Sequence, residues 1–181
     1  MPLIITDPST LNKRRQRVQK IFEPLAKTNR VDVFFHSGAN KAVIGLGLDT
    51  YGSDLRRARY PSRYDRIYVN YFEIWIAQEA GETFFLEKSC MHLDTPYPDG
   101  TGDEEVLALH CDPSLDGKDP ESIFKRGPHL LLSGNRRDIK KSHIALCLTN
   151  LESSISSIDS LSTALDKIVS MIDSELLPRL S

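Results

Sequence analysis

The sequence predicts an α+β domain: an N-terminal helix, an antiparallel meander of about 6–7 strands and a long C-terminal helix. Apolar residues recur every three or four positions only near the two ends of the chain. Between them the pattern changes to a two-residue alternation rich in β-branched and aromatic residues. Gly-, Asn- and Pro-containing breaks separate the alternating segments, as hairpin turns require.

The first helix is expected over 9–27. Pro8 and Ser9 suit its start, Leu11, Val18, Ile21, Phe22 and Leu25 form its apolar stripe, and Pro24 should stop or kink it. Strands are expected over 31–36 and 41–49, joined by the turn Ser37-Gly38-Ala39-Asn40. A loop fills 51–66. The strand over 66–77 places Phe72, Ile74 and Ile76 on one face and Tyr71, Glu73 and Trp75 on the other. The next strand covers 83–93, and the Pro/Gly-rich 94–102 forms a loop. Three further strands cover 106–112, 128–133 and 142–148. The last helix, 158–177, carries Ile158, Leu161, Leu165, Ile168, Ile172 and Leu176 at helical spacing, with Pro178 after its end and Ser162 on the side away from Leu165. Both helices are expected on one face of the sheet.

The chain of 181 residues is read as a single domain spanning 1–181, with an ordinary content of hydrophobic (40%) and charged (27%) residues. No apolar run approaches the roughly 20 residues of a membrane span. The first residues lack the pattern of a secretory signal, and three cysteines without a CxxC pair suit reduced thiols. These features point to a cytoplasmic protein without a disulfide framework or a cysteine-rich zinc site.

Charge is segregated. Lys13, Arg14, Arg15, Arg17, Lys20, Lys27 and Arg30 make one basic segment; Arg56, Arg57, Arg59, Arg63 and Arg66 make a second. Lys125, Arg126, Arg136, Arg137, Lys140 and Lys141 make a third, and 94–121 is acidic. Arg56, Arg57, Arg59 and Arg63 alternate with Tyr60 and Tyr64, and guanidinium groups pair with phosphates while tyrosines stack on bases. Together with Arg136 and Arg137 they suggest a non-catalytic binding module or assembly subunit that contacts a nucleic acid, a nucleotide or an acidic protein partner.

An enzymatic alternative rests on the two-residue period. It collects Glu73, His92, His110, Asp112, His129, His143 and Cys147 on one face, and in three of the segments the histidine is out of phase with the most apolar residues of its strand. Strands about 4.8 Å apart could bring His110, His129, His143, Asp112 and Glu73 into one catalytic site, with His110, His129 and Asp112 holding a divalent metal. A small metal-dependent hydrolase or nuclease would use such a face. Pro98-Asp99 followed by Asp116-Gly117-Lys118 resembles the Pro-Asp…Asp-x-Lys spacing of restriction-endonuclease-like nucleases, which implies metal-holding carboxylates at Asp99 and Asp116. Asp112-x-Ser114-x-Asp116-Gly117 resembles half a calcium loop, but Ile123 stands where the closing glutamate belongs. His143 and Cys147 share a strand face but stand four residues apart, too far for direct contact as nucleophile and base.

Overall fold

The computed structural model describes residues 3–7, 9–25, 33–37, 40–46, 60–64, 66–78, 83–111, 129–132, 142–145 and 156–180, with the backbone alone at 33–37, 60–61, 103–104, 129–132, 142–145 and 180. Within them the chain is α+β, with two main helices and an antiparallel sheet. The strands are β1 (Ile4–Ile5), β2 (Val33–Ser37), β3 (Lys41–Leu46), β4 (Tyr60–Pro61), β5 (Tyr68–Gln78), β6 (Thr83–Pro96), β7 (Asp103–Cys111), β8 (His129–Leu132) and β9 (Ser142–Ala145). They pair in the order β2-β3-β5-β6-β7-β8-β9, with β1 added to β6 and β4 to β5. Short connections join β2 to β3, β5 to β6 and β6 to β7, as antiparallel neighbours allow.

Helix α1 (Ser9–Phe22) opens where the Asp7 carboxylate accepts hydrogen bonds from the Ser9 amide and hydroxyl. It stops earlier than its apolar stripe suggests. Pro24 has no N–H to continue the ladder, and Glu23–Leu25 tightens into one 3-10 turn that still buries Leu25. Helix α2 (Ile158–Met171) is capped by Ser157, whose side chain accepts from the Ser160 amide at 3.1 Å. It runs on into a π-turn (Ile172–Leu176), in which the Leu177 N–H reaches the Ile172 carbonyl, and then into α3 (Leu177–Leu180). Pro178 therefore lies within the helical track instead of beyond it. The widened turn admits a residue that lacks the N–H an α-helix needs.

Both helices pack on the same sheet face. Leu11, Val18, Ile21, Phe22, Leu161, Leu165, Val169 and Ile172 meet Ile44, Leu46, Val69, Tyr71, Trp75, Leu86, Met91, Leu93 and Leu107 in one core. Burial along α2 falls on Leu161, Ser162, Leu165 and Val169, so Ser162 belongs to the packed side, contrary to the expected phase. Its hydroxyl donates to the Ile158 carbonyl at 2.7 Å and accepts from Arg14 Nη1 at 2.6 Å. Leu165→Ala is expected to cost about 2–5 kcal/mol through lost burial and a cavity. Ser162→Ala should cost about 1–3 kcal/mol because it leaves a buried guanidinium donor without its acceptor. Urea denaturation of both variants checks this; a neutral Ser162→Ala would contradict the hydrogen bond.

Two register shifts shape the centre of the sheet. Ile74 lies opposite Lys88 but Trp75 lies opposite Leu86, so Glu87 is the extra residue of a bulge. Leu93 lies opposite Leu107 but Asp94 lies opposite Glu105, so Val106 is the extra residue of a second bulge. The turn between β6 and β7 closes through Tyr97 N–H to the Gly102 carbonyl at 2.8 Å, with Gly100 at φ 72°, which favours glycine.

Candidate metal centre on the face away from the helices

The register divides the proposed histidine face into two groups. Glu73 lies opposite Ser89, in phase with Tyr71, Trp75 and Met91 on the helix side. His92 lies opposite Asn70 and Ala108, and Cys90 lies opposite Phe72 and His110, on the other side. Glu73 is therefore separated from the histidines by the sheet itself. The histidine side is also drier than its polarity suggests: Asn70, Cys90, His92, Asp94 and Ala108 are all buried there.

On this face Cys90 Sγ lies 2.7 Å from His92 Nε2, and the rings of His92 and His110 are centred 5.1 Å apart. Donor atoms of Cys90, His92 and His110 all fall within 4.8 Å of one another. The opposite ring nitrogen, His92 Nδ1, lies 2.7 Å from Glu105 Oε2. The bulge explains that contact. In an unbroken ladder Val106 would face Asp94, whereas the extra residue shifts Glu105 into phase with the histidines. Donor atoms of His92, Asp94 and Glu105 form a second group within 4.8 Å. A thiol, two imidazoles and two carboxylates on adjacent strands are a donor set for a divalent transition metal.

His110 thus falls where the alternation placed it. By backbone register His129 is its direct partner on β8, and His143 lies opposite Leu131 one strand further out. Asp112 and Cys147 lie outside the described residues, as do Arg56, Arg57, Arg59, Arg136, Arg137, Asp116 and Lys118. Tyr60 begins β4 opposite Val69. Arg63 forms an ion pair with Asp173 and lies over the Tyr64 ring, 5.4 Å from its centroid, while Tyr64 packs against the core. Both are engaged within the fold. Asp99 accepts from the Thr101 amide at 3.0 Å and from its hydroxyl at 2.7 Å, and those bonds hold its carboxyl below the usual range. It secures an exposed turn. Cys90 and Glu105 join the site unforeseen. Cys90 was legible, because Cys90-x-His92 keeps the same two-residue phase; Glu105 was not, because its phase depends on the bulge.

Glu73 belongs to a separate buried network on the helix side. Its carboxylate accepts from Arg14 Nη2 at 2.5 Å, Arg14 Nε at 2.9 Å, Trp75 Nε1 at 3.0 Å and the Tyr71 hydroxyl. Arg14 and Glu73 side chains are both 0% exposed. Arg14 consequently leaves the basic surface segment. Burial pushes the Tyr71 phenol well above its ordinary range, reinforced by the Glu73 charge and opposed by Arg14. A tyrosine raised in the folded state contributes stability that is complete below the unfolded value near 10 and is lost as pH climbs toward the folded one. Stability should therefore fall on titration above about pH 10, and Tyr71→Phe should flatten that fall. An unchanged slope in the variant would remove Tyr71 as its source.

Comparison with protein-family models, curated proteins and solved structures finds no match for the chain. The chemistry of its own residues carries the functional reading.

Proposed function

We propose that the protein binds a divalent transition metal, Zn2+ by preference, between Cys90, His92 and His110, and uses it for metal-assisted hydrolysis of a small substrate. The observation that carries this reading is the convergence of three donors from two strands within 4.8 Å. Thiolate and imidazole select a borderline-soft ion, and three protein ligands leave the fourth tetrahedral position for water. Bound there, the ion would lower the pKa of that water toward neutrality. Glu105, accepting from His92 Nδ1, would fix the ring's tautomer and orientation.

Burial discriminates among chemistries. Cys90 and His92 are each 1% exposed, which disfavours an attacking thiol and the approach of a duplex, whereas Glu105 is 26% exposed. The test is elemental analysis of the purified chain after dialysis against micromolar Zn2+, alongside hydrolysis of nitrophenyl esters and phosphodiesters. About one or more ions per chain, and turnover lost in Cys90→Ser and His110→Ala, support the proposal. A metal-free protein would overturn it.

A polyanion-binding role finds support in one other place. Lys13, Arg17 and Lys20 are exposed on α1, on its outer side opposite the buried Leu11, Val18 and Ile21. Such a stripe can contact phosphates without any of the arginine-rich loops. Reversing all three charges with glutamate should abolish binding to heparin or RNA at low salt. Unchanged binding would exclude the stripe. Among the described residues, no helix is long and apolar enough to cross a membrane.

A further inference from the structure

We propose that His92 bridges two metal positions, so that the site holds a binuclear centre in which a thiolate-rich and a carboxylate-rich ion share one imidazolate. This inference rests on the metal reading above and deepens it. The two nitrogens of an imidazole point away from each other, and in His92 each meets a different donor set. Nε2 faces Cys90 Sγ at 2.7 Å, in the group completed by His110. Nδ1 faces Glu105 Oε2 at 2.7 Å, in the group completed by Asp94. An ion with ligand bonds of about 2.0–2.3 Å holds tetrahedral donors roughly 3.3–3.8 Å apart, so small side-chain rotations would open the 2.7 Å pairs and draw in the wider ones.

A single ion with Glu105 as a mere orienting partner needs one carboxylate. The bulge instead sets two, Asp94 and Glu105, directly opposite each other on neighbouring strands, with Asp94 buried. Two carboxylates so placed offer oxygen ligands to one cation from both strands. The two sets also differ in kind. Sulfur and imidazole suit Zn2+ or Co2+, whereas imidazole with two carboxylates suits Mn2+, Fe2+ or a second Zn2+. Filling both releases the Cys90 thiol proton and the remaining His92 ring proton to solvent; no electron transfer is involved.

The experiment is metal stoichiometry of the full chain loaded with Co2+, whose thiolate charge-transfer absorption reports the Cys90 position separately. The native protein should bind two ions. Asp94→Asn and Glu105→Gln should each retain one ion with the thiolate band intact; His110→Ala should lose the band and keep one ion at the carboxylate position. His92→Gln should lose both, with circular dichroism confirming the fold. One ion in the native chain, unchanged in number by Glu105→Gln, would overturn the bridge while leaving the Cys90–His92–His110 centre standing. No ion at all would overturn both.

Discussion

Replacing Glu73 with alanine is expected to destabilise the protein by about 3–5 kcal/mol, the usual consequence of leaving a buried charge without its partner. Arg14 enters the core from α1 and has no water to turn to, since its side chain is 0% exposed. Loss of the carboxylate also removes the acceptor of Trp75 Nε1 and the Tyr71 hydroxyl. Glu73→Gln should be milder because an amide oxygen still accepts some of these bonds. The double replacement of Arg14 by Met and Glu73 by Leu should recover much of the loss, because an apolar pair of similar volume avoids desolvating two charges. Urea titration with a constant m-value measures all three. A cost below about 1 kcal/mol for Glu73→Ala would mean that Arg14 finds another acceptor or that water enters.

The same network explains why sequence alternation placed His92 and His110 on one face yet misplaced Glu73. Alternation shows which residues of one strand share a face, and it grouped Tyr71, Glu73 and Trp75 correctly. Joining strands to one another requires register. The two-residue period alone, without register between strands, joined Glu73 to the histidines. An arginine fifty-nine positions earlier, hydrogen-bonded through all three guanidinium nitrogens, reverses that assignment. Ser162 was misread for the same reason: a small polar residue on an amphipathic helix looks solvated until its buried partner is known. His110 kept its place because Leu107, Leu109 and Cys111 fix the phase of β7 without help from other strands. Glu105 lies beyond the bulge at Val106, where that phase breaks, and nothing in the local sequence marks the break.

If the Cys90–His92–His110 cluster holds Zn2+ as proposed, chelation should lower stability more than any single surface substitution. Binding to the native state alone stabilises by RT ln(1 + [L]/Kd), about 2.7 kcal/mol at one hundred times Kd and about 4.1 at one thousand times. For a chain of this length each kcal/mol moves the thermal midpoint by about 2–4 °C. The apo cluster should profit from the ion because its donors are already close: Cys90 and His92 on β6 face His110 and Glu105 on β7 within the same few ångströms. Thiol and imidazoles must shed protons to coordinate, so the gain should appear only where the free metal outcompetes them. The thermal midpoint should thus rise with the logarithm of free Zn2+, return to its apo value with EDTA, and lose much of its zinc dependence in Cys90→Ser, which leaves only the His92–Asp94–Glu105 group. Mg2+ should not substitute, since it prefers oxygen ligands and octahedral geometry. The Glu73 network should be indifferent to added Zn2+, because the sheet separates it from Cys90, His92 and His110 and its carboxylate is bonded within the core. A midpoint unmoved by zinc in the wild-type chain, or moved equally in Cys90→Ser, would remove the metal from the fold's energetics and from its proposed chemistry.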